Sequence, residues 1–101
     1  MINHTGLTDQ ALALIRGVIK NHGETKGAML FGSRAKGTAL PTSDIDIALM
    51  GIADPLKAEA IARELEELPL PYKFDVKAFD SIQSHPLREH IERVGISILE
   101  D

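Results

Sequence analysis

Two aspartates separated by one isoleucine, Asp44 and Asp46, are the residues of this 101-residue chain whose types and spacing could do chemistry. Residues two apart on a strand point the same way and lie about 6.8 Å apart. Carboxylates at that spacing can turn toward metal ions about 3.5–4 Å apart, and their oxygens suit Mg²⁺ or Mn²⁺. Asp75 lies in a second segment of alternating pattern. If the two strands are neighbours, the sequence predicts that all three carboxylates meet at a metal site.

The ordinary alternative is that these aspartates are solvated residues of amphipathic strands. Aspartate is a poor strand former, and here Asp44, Asp46 and Asp75 all lie opposite the apolar residues of their segments. That combination favours a metal site over a solvated strand surface without a ligand.

A glycine-serine turn, Gly32-Ser33, follows the short apolar run Ala28–Phe31. Glycine lets the backbone approach an anion closely, and a turn that opens a helix exposes backbone N–H groups to phosphate. Arg34 and Lys36 add positive charge, although basic loop residues are usually only solvated. We expect this turn to lie within reach of the three carboxylates, so that metal ions bridge phosphate oxygens to the aspartates.

The elements that must position these residues can be inferred from periodicity. Helical spacing follows Thr8 and ends at Gly23, and another helix begins at Asp54-Pro55, a good cap and first-turn pair. The order predicted is helix, strand, strand, helix, strand, helix, strand, with strands at 28–31, 43–49, 72–79 and 96–99, the last at an edge. The fold class expected is α/β (α+β), a mixed sheet of about four strands with helices packed on its apolar face.

The composition excludes several classes of protein. The length predicts a single domain, 1–101. A domain of this size is expected to have a shallow active-site cleft that a partner would complete. Whether the protein is a homo-oligomer is left open. A net charge of −4 and 4% aromatic residues argue against strong nucleic-acid binding. The absence of cysteine excludes disulfides and thiolate metal sites. No signal peptide or membrane span is recognisable, so we expect a cytoplasmic protein without membrane association.

The runs GSRAKG, SDIDIAL and FDV together resemble the minimal nucleotidyltransferases (MNT) of the polymerase-beta superfamily. Their pattern is a glycine-serine turn, a short basic helix, D-x-D and a third acidic residue on a later strand. The resemblance covers nearly the whole chain. It implies a polymerase-beta-like fold and an enzyme that transfers a nucleoside monophosphate, AMP from ATP, to an acceptor hydroxyl.

The resemblance also implies the roles of individual residues. Asp44, Asp46 and Asp75 would be the catalytic residues and the ligands of two Mg²⁺ ions, with Mn²⁺ as a substitute. Lys36 stands where many members have arginine, which keeps the charge but loses the planar fork. The nucleotide-binding residues implied are Gly32, Ser33, Arg34, Lys36 and Ser43.

Single-domain members of this kind resemble the antitoxin half of HEPN/MNT toxin–antitoxin pairs. The acceptor implied is therefore a tyrosine on a helical HEPN-type toxin. Three alternatives stay open: transfer to a small molecule such as an aminoglycoside, a non-catalytic antitoxin that neutralises its partner by binding, and a purely structural α/β domain. Retention of all three carboxylates favours catalysis.

Overall fold

The computed structural model describes residues 5–99 and contains four helices and four strands within that range. A 3₁₀ turn, Phe79–Ser81, follows the third strand. In chain order the elements are α1 (Asp9–Lys20), β1 (Gly27–Phe31), α2 (Gly32–Lys36), β2 (Ile45–Met50), α3 (Pro55–Glu66), β3 (Phe74–Ala78), α4 (His85–Val94) and β4 (Ile96–Ser97). The order of the other seven elements is the one predicted from periodicity, and α2 is the short basic helix that the family resemblance implied after the glycine-serine turn.

Helix boundaries follow the capping residues. Thr8 accepts a hydrogen bond from the Ala11 N–H at the start of α1, and Asp54 accepts one from the Leu56 N–H at the start of α3. Pro55 occupies the first turn of α3, where its missing N–H costs nothing. Both helix starts inferred from the sequence are confirmed.

The sheet has the strand order β3-β2-β1-β4. β1 is antiparallel to both β2 and β4, whereas β2 and β3 are parallel. A parallel pair requires a crossover connection, and α3 provides it between β2 and β3. The edge strand predicted at 96–99 is present in shorter form as β4.

The main core lies on one face of the sheet, under α1 and α3. It contains Ile15 and Ile19 from α1, Ile61 and Leu65 from α3, and the apolar residues of β2 that alternate with Asp46. This is the packing that the alternating pattern predicted.

A second, smaller cluster covers part of the opposite face, which the sequence suggested would carry no helix. It contains Phe31, Ala48, Phe79 and Ile91, the last from α4. Ala48 shares a face with Asp46 yet is completely buried. Ala48 and Phe31 are apolar neighbours on this face, and α4 packs over them. Because Phe31 is the register partner of Asp46, this cover reaches Asp46, which is half-buried, while Asp75 stays exposed.

None of the helices within residues 5–99 is both long and apolar enough to cross a bilayer.

Candidate active site

The parallel pairing of β2 with β3 places Asp46 directly beside Asp75. The two residues are register partners, and partners on adjacent strands project from the same face of the sheet. Asp44 lies one residue before β2 and is exposed. The structure therefore brings two aspartates of distant sequence together and places the third at the start of the same strand.

The glycine turn touches this carboxylate pair. Gly32 has φ +72°, a conformation that L side chains rarely adopt, and a Cβ there would lie 2.3 Å from Oδ2 of Asp46. Any side chain at position 32 would therefore occupy the space of the carboxylate. Gly32, the first residue of the turn, therefore lies against Asp46.

The electrostatics of the pair favour a bound cation. Partial burial raises the pKa of Asp46 above its ordinary value, and the neighbouring Asp75 and Asp44 carboxylates raise it further, while Lys77 opposes them. A carboxylate that is both desolvated and flanked by like charges is costly to ionise. A cation bound between these side chains would remove that cost.

Lys77 supplies part of the compensating charge. Its Nζ lies 3.6 Å from Oδ1 of Asp75, on the same face of β3. The Asp75 side chain is nevertheless 52% exposed, so the lysine does not bury it. Asp75 remains accessible to a ligand.

The types of the candidate ligands suit a divalent metal ion, although the side chains are not already gathered around one position. Within residues 5–99 no three His, Cys, Asp or Glu side chains are gathered closely enough to hold an ion. The hard oxygens of Asp44, Asp46 and Asp75 are the donors that Mg²⁺ prefers, and Gly32, which has no side chain, lets the glycine turn lie against the Asp46 carboxylate. The ligands would have to turn toward an ion as it binds, which exposed aspartates can do.

The other predicted nucleotide-binding residues near the turn differ in exposure and in hydrogen-bond partners. Ser33 is half-buried in the first turn of α2, and Lys36 is exposed in its last turn. The Ser43 hydroxyl accepts a hydrogen bond from the Leu40 N–H and so closes the loop before β2. Ser33 and Lys36 can face a phosphate, whereas the Ser43 hydroxyl already has a structural partner.

Arg34 requires a correction. The sequence suggested a phosphate contact, but its side chain is only 1% exposed, and its guanidinium donates to the carbonyl oxygens of Thr5 and Ser43. The guanidinium also lies over the Tyr72 ring, 4.8 Å from its centroid. A side chain held in this way points into the protein and away from the turn's open surface.

A cleft of about 460 Å³ opens beside Asp75, and sequence reasoning missed its wall. Asp75 and Lys77 line one side, and Ser81, Gln83 and Ser84 line another. Arg88 holds this wall by donating to the carbonyl oxygens of Phe79 and Ile82. The only signal in the sequence was a polar run, DSIQS, directly after the β3 pattern.

Comparison with solved structures shows the same fold in toxin–antitoxin complexes. One chain of a toxin–antitoxin crystal structure with AMP-PNP matches with a TM-score of 0.72 and 23% identity, covering 91% of this chain and 73% of that one. A chain from a mutant MntA–HpeT toxin–antitoxin complex matches with a TM-score of 0.71 and 19% identity, covering 86% and 70%. At such identities the likeness shows the fold alone.

Sequence comparison provides the assignment. No curated protein matches the chain. The family model of the polymerase beta nucleotidyltransferases matches residues 14–101, a range that includes the glycine turn, all three aspartates and the cleft wall. The chain therefore belongs to the polymerase beta nucleotidyltransferase family.

Proposed function

We propose that this nucleotidyltransferase uses Mg²⁺ to transfer AMP from ATP to a hydroxyl of a partner protein. The observation that carries the proposal is the contact of Gly32 with Asp46, which is itself paired with Asp75. An anion-binding turn and a cluster of hard oxygen donors thus share one surface. That is the arrangement that in-line nucleotidyl transfer requires.

In this proposal each side chain has a distinct role. Asp44, Asp46 and Asp75 hold the Mg²⁺ ions, and the Gly32-Ser33 turn receives the triphosphate. The bound ions would lower the pKa of the acceptor hydroxyl and neutralise charge on the leaving pyrophosphate. Lys36, exposed in α2, adds a point charge toward the phosphates.

The reaction balances as a displacement at the α-phosphorus. The acceptor oxygen forms a new bond to that phosphorus, the bond from phosphorus to the bridging oxygen breaks, and pyrophosphate leaves. The proton of the acceptor hydroxyl passes to Asp75 or to water. The position of Asp75 in the wall of the cleft supports this assignment, because an acceptor in the cleft lies beside that carboxylate.

The acceptor proposed is a tyrosine of a helical HEPN-type toxin, which makes the chain an antitoxin. Support comes from two solved structures that share its fold, both of them toxin–antitoxin complexes. The cleft supports it as well, since its lining is open enough for a side chain carried on a second protein to enter. ATP is a cytoplasmic substrate, and we propose that the reaction occurs there.

Mass spectrometry tests the proposal directly. The purified chain is incubated with Mg²⁺, ATP and the product of the neighbouring gene, and the intact mass of that product is measured. We expect the mass of AMP to be added, and the adduct to be lost with Asp75→Asn. Asp9→Asn, which removes an exposed aspartate from the start of α1, is the matched control and should leave the adduct unchanged.

Other outcomes are equally informative. A tight complex that forms without any adduct would contradict the proposed catalysis and support the alternative in which the chain neutralises its partner by binding. Adduct formation on an aminoglycoside but not on the protein would change the acceptor class and keep the chemistry.

A further inference from the structure

We propose that Arg34 is a positioning residue that sets Asp44 relative to the Gly32-Ser33 turn. The proposal rests on the proposed function, because it assigns Asp44 to the metal ions. Arg34 itself touches neither nucleotide nor metal. It acts through the backbone of the loop that joins α2 to β2.

The guanidinium connects the two ends of that loop. Arg34 belongs to α2, the helix that begins with the glycine turn, and its Nη2 donates to the Ser43 carbonyl at 2.9 Å. Ser43 is the residue immediately before Asp44. One side chain therefore fixes the distance between the turn and the first aspartate.

Two further contacts hold the guanidinium itself in place. Nη1 donates to the Thr5 carbonyl at 2.8 Å, and the guanidinium carbon lies 4.8 Å from the centroid of the Tyr72 ring. Tyr72 lies just before β3, the strand that carries Asp75. Arg34 thus joins the segment before α1, the loop before β2 and the start of β3.

The energetics argue that this arginine was not placed for stability. Within residues 5–99 no carboxylate pairs with the buried guanidinium, and its Nε has no hydrogen-bond partner there. Burying a charge against carbonyl dipoles and one ring face is costly, and apolar residues would pack the same space at less cost. The gain is geometric, since a planar fork can bind separate carbonyls and stack on a ring together.

Lysine cannot reproduce these contacts. Its ammonium is a compact point charge that lacks a second, divergent nitrogen and a planar face. Arg34→Lys should therefore keep the charge while losing either the Thr5 or the Ser43 bond and the stack on Tyr72. We expect Asp44 to shift, and a misplacement of about 1 Å costs on the order of 100-fold in rate.

The test measures metal binding as well as transfer. Mn²⁺ binding to the full chain, without acceptor, is followed by water-proton relaxation. We expect Arg34→Lys to weaken it by about 10–100-fold, the usual effect of losing a group that orients a metal ligand. In transfer assays the same variant should lower kcat and raise the Mg²⁺ concentration required, with a smaller change in KM for ATP.

Arg16→Lys is the matched control. Arg16 also donates to a backbone carbonyl, from Nε to Ile98 at 2.6 Å, but α1 carries none of the predicted site residues. This variant should lose stability without changing Mn²⁺ affinity. Lys36→Gln provides the contrast, since it should raise KM for ATP and leave Mn²⁺ affinity unchanged.

Tyr72→Leu keeps the proposal falsifiable if Arg34→Lys fails to fold. It removes the ring face but leaves both strong carbonyl bonds, so we expect a smaller loss of Mn²⁺ affinity in the same direction. Wild-type Mn²⁺ affinity in a folded Arg34→Lys or Tyr72→Leu protein would overturn the proposal and leave Arg34 a structural residue. If the wild-type chain binds Mn²⁺ but transfers no AMP, the proposed function fails while the positioning role is still measured.

Discussion

At the scale of single residues, the site depends on a carboxylate that the fold makes costly to ionise. Asp46 is partly buried between Asp44 and Asp75, and its pKa is raised by burial and by those two charges. Such a group opposes folding at neutral pH unless a cation binds. Its cost is therefore evidence that the surface is organised for a ligand and not for the stability of the empty protein.

Asp46→Asn should stabilise the metal-free protein while reducing transfer by more than about 100-fold, beyond the loss seen for groups that only orient a ligand. Because the native pKa of Asp46 lies above its unfolded value, the penalty is complete above the native pKa. It disappears as the pH falls below the unfolded value of about 3.9. Thermal unfolding in EDTA should show a higher Tm for the variant at pH 7 and a shrinking difference toward pH 4. A difference that does not vary with pH would contradict the electrostatic explanation.

Gly32→Ala should lower both stability and transfer, for two separate reasons. The positive φ alone costs about 1–2 kcal/mol for a residue with a Cβ, and the added methyl would collide with Asp46. We expect lower stability in urea unfolding and a loss of transfer of about 100-fold or more. The matched control is Gly17→Ala in α1, where a Cβ would meet nothing within 4 Å. It should raise stability by about 0.5–1 kcal/mol and leave transfer intact.

At the scale of elements, the helices pack on both faces of the sheet and have different roles on each. α1 and α3 bury the main core on one face, whereas α4 packs on Phe31 and Ala48 of the opposite face, beside Asp46, and leaves Asp75 exposed. The first turn of α4 and its N-cap Ser84 also form part of the cleft wall. Pro55, Ala58 and Glu59 of α3 line the cleft as well, whereas α1 contributes no residue to it. The packing of α4 should therefore influence acceptor binding more than the packing of α1 does.

Ile91→Val and Ile15→Val provide the comparison. Both isoleucines are fully buried, Ile91 in the smaller cluster and Ile15 in the main core, and each variant should lower the free energy of unfolding by about 0.5–1.5 kcal/mol. Only Ile91→Val should also raise KM for the acceptor. Denaturant unfolding and steady-state transfer measure the two effects. An equal KM for the acceptor in both variants would contradict a link between the packing of α4 and acceptor binding.

Much of this arrangement could be inferred from sequence because local signals agreed with one another. Thr8 and Asp54 marked helix starts, and alternation in β2 and β3 assigned their faces correctly. The inward turn of Arg34 could not be inferred, because a basic residue beside a glycine turn has the same local pattern whether it faces solvent or carbonyls. The cover over Ala48 was missed for a similar reason, since burial of so small a residue depends on a distant helix.

At the scale of the whole molecule, the site is a surface and not an enclosed pocket. The cleft beside Asp75 is open, and the glycine turn lies on the same face of the sheet. Nucleotide and acceptor can thus approach from solvent independently. The free chain should bind nucleotide in the absence of the proposed partner, and transfer should await the acceptor.

A Mg²⁺ complex of a non-hydrolysable ATP analogue should raise the Tm of the wild-type chain alone. A ligand at 100 times its Kd stabilises the folded state by about 2.7 kcal/mol, because it does not bind the unfolded chain. Asp46→Asn should show a much smaller rise, since the variant lacks one ligand of the proposed metal site. Thermal unfolding at increasing analogue concentration makes the measurement, and an equal rise in both proteins would place the nucleotide elsewhere.

The crossover from β2 through α3 to β3 also determines when activity can arise during synthesis. A nascent chain ending at Glu66 already holds the glycine turn and two of its aspartates, yet lacks β3 and the third. A single proteolytic cut in the segment 67–73 likewise leaves β2 and β3 on different fragments. If the proposed role of Asp75 holds, activity cannot arise before β3 has been synthesised, and it is kept only while the crossover is intact.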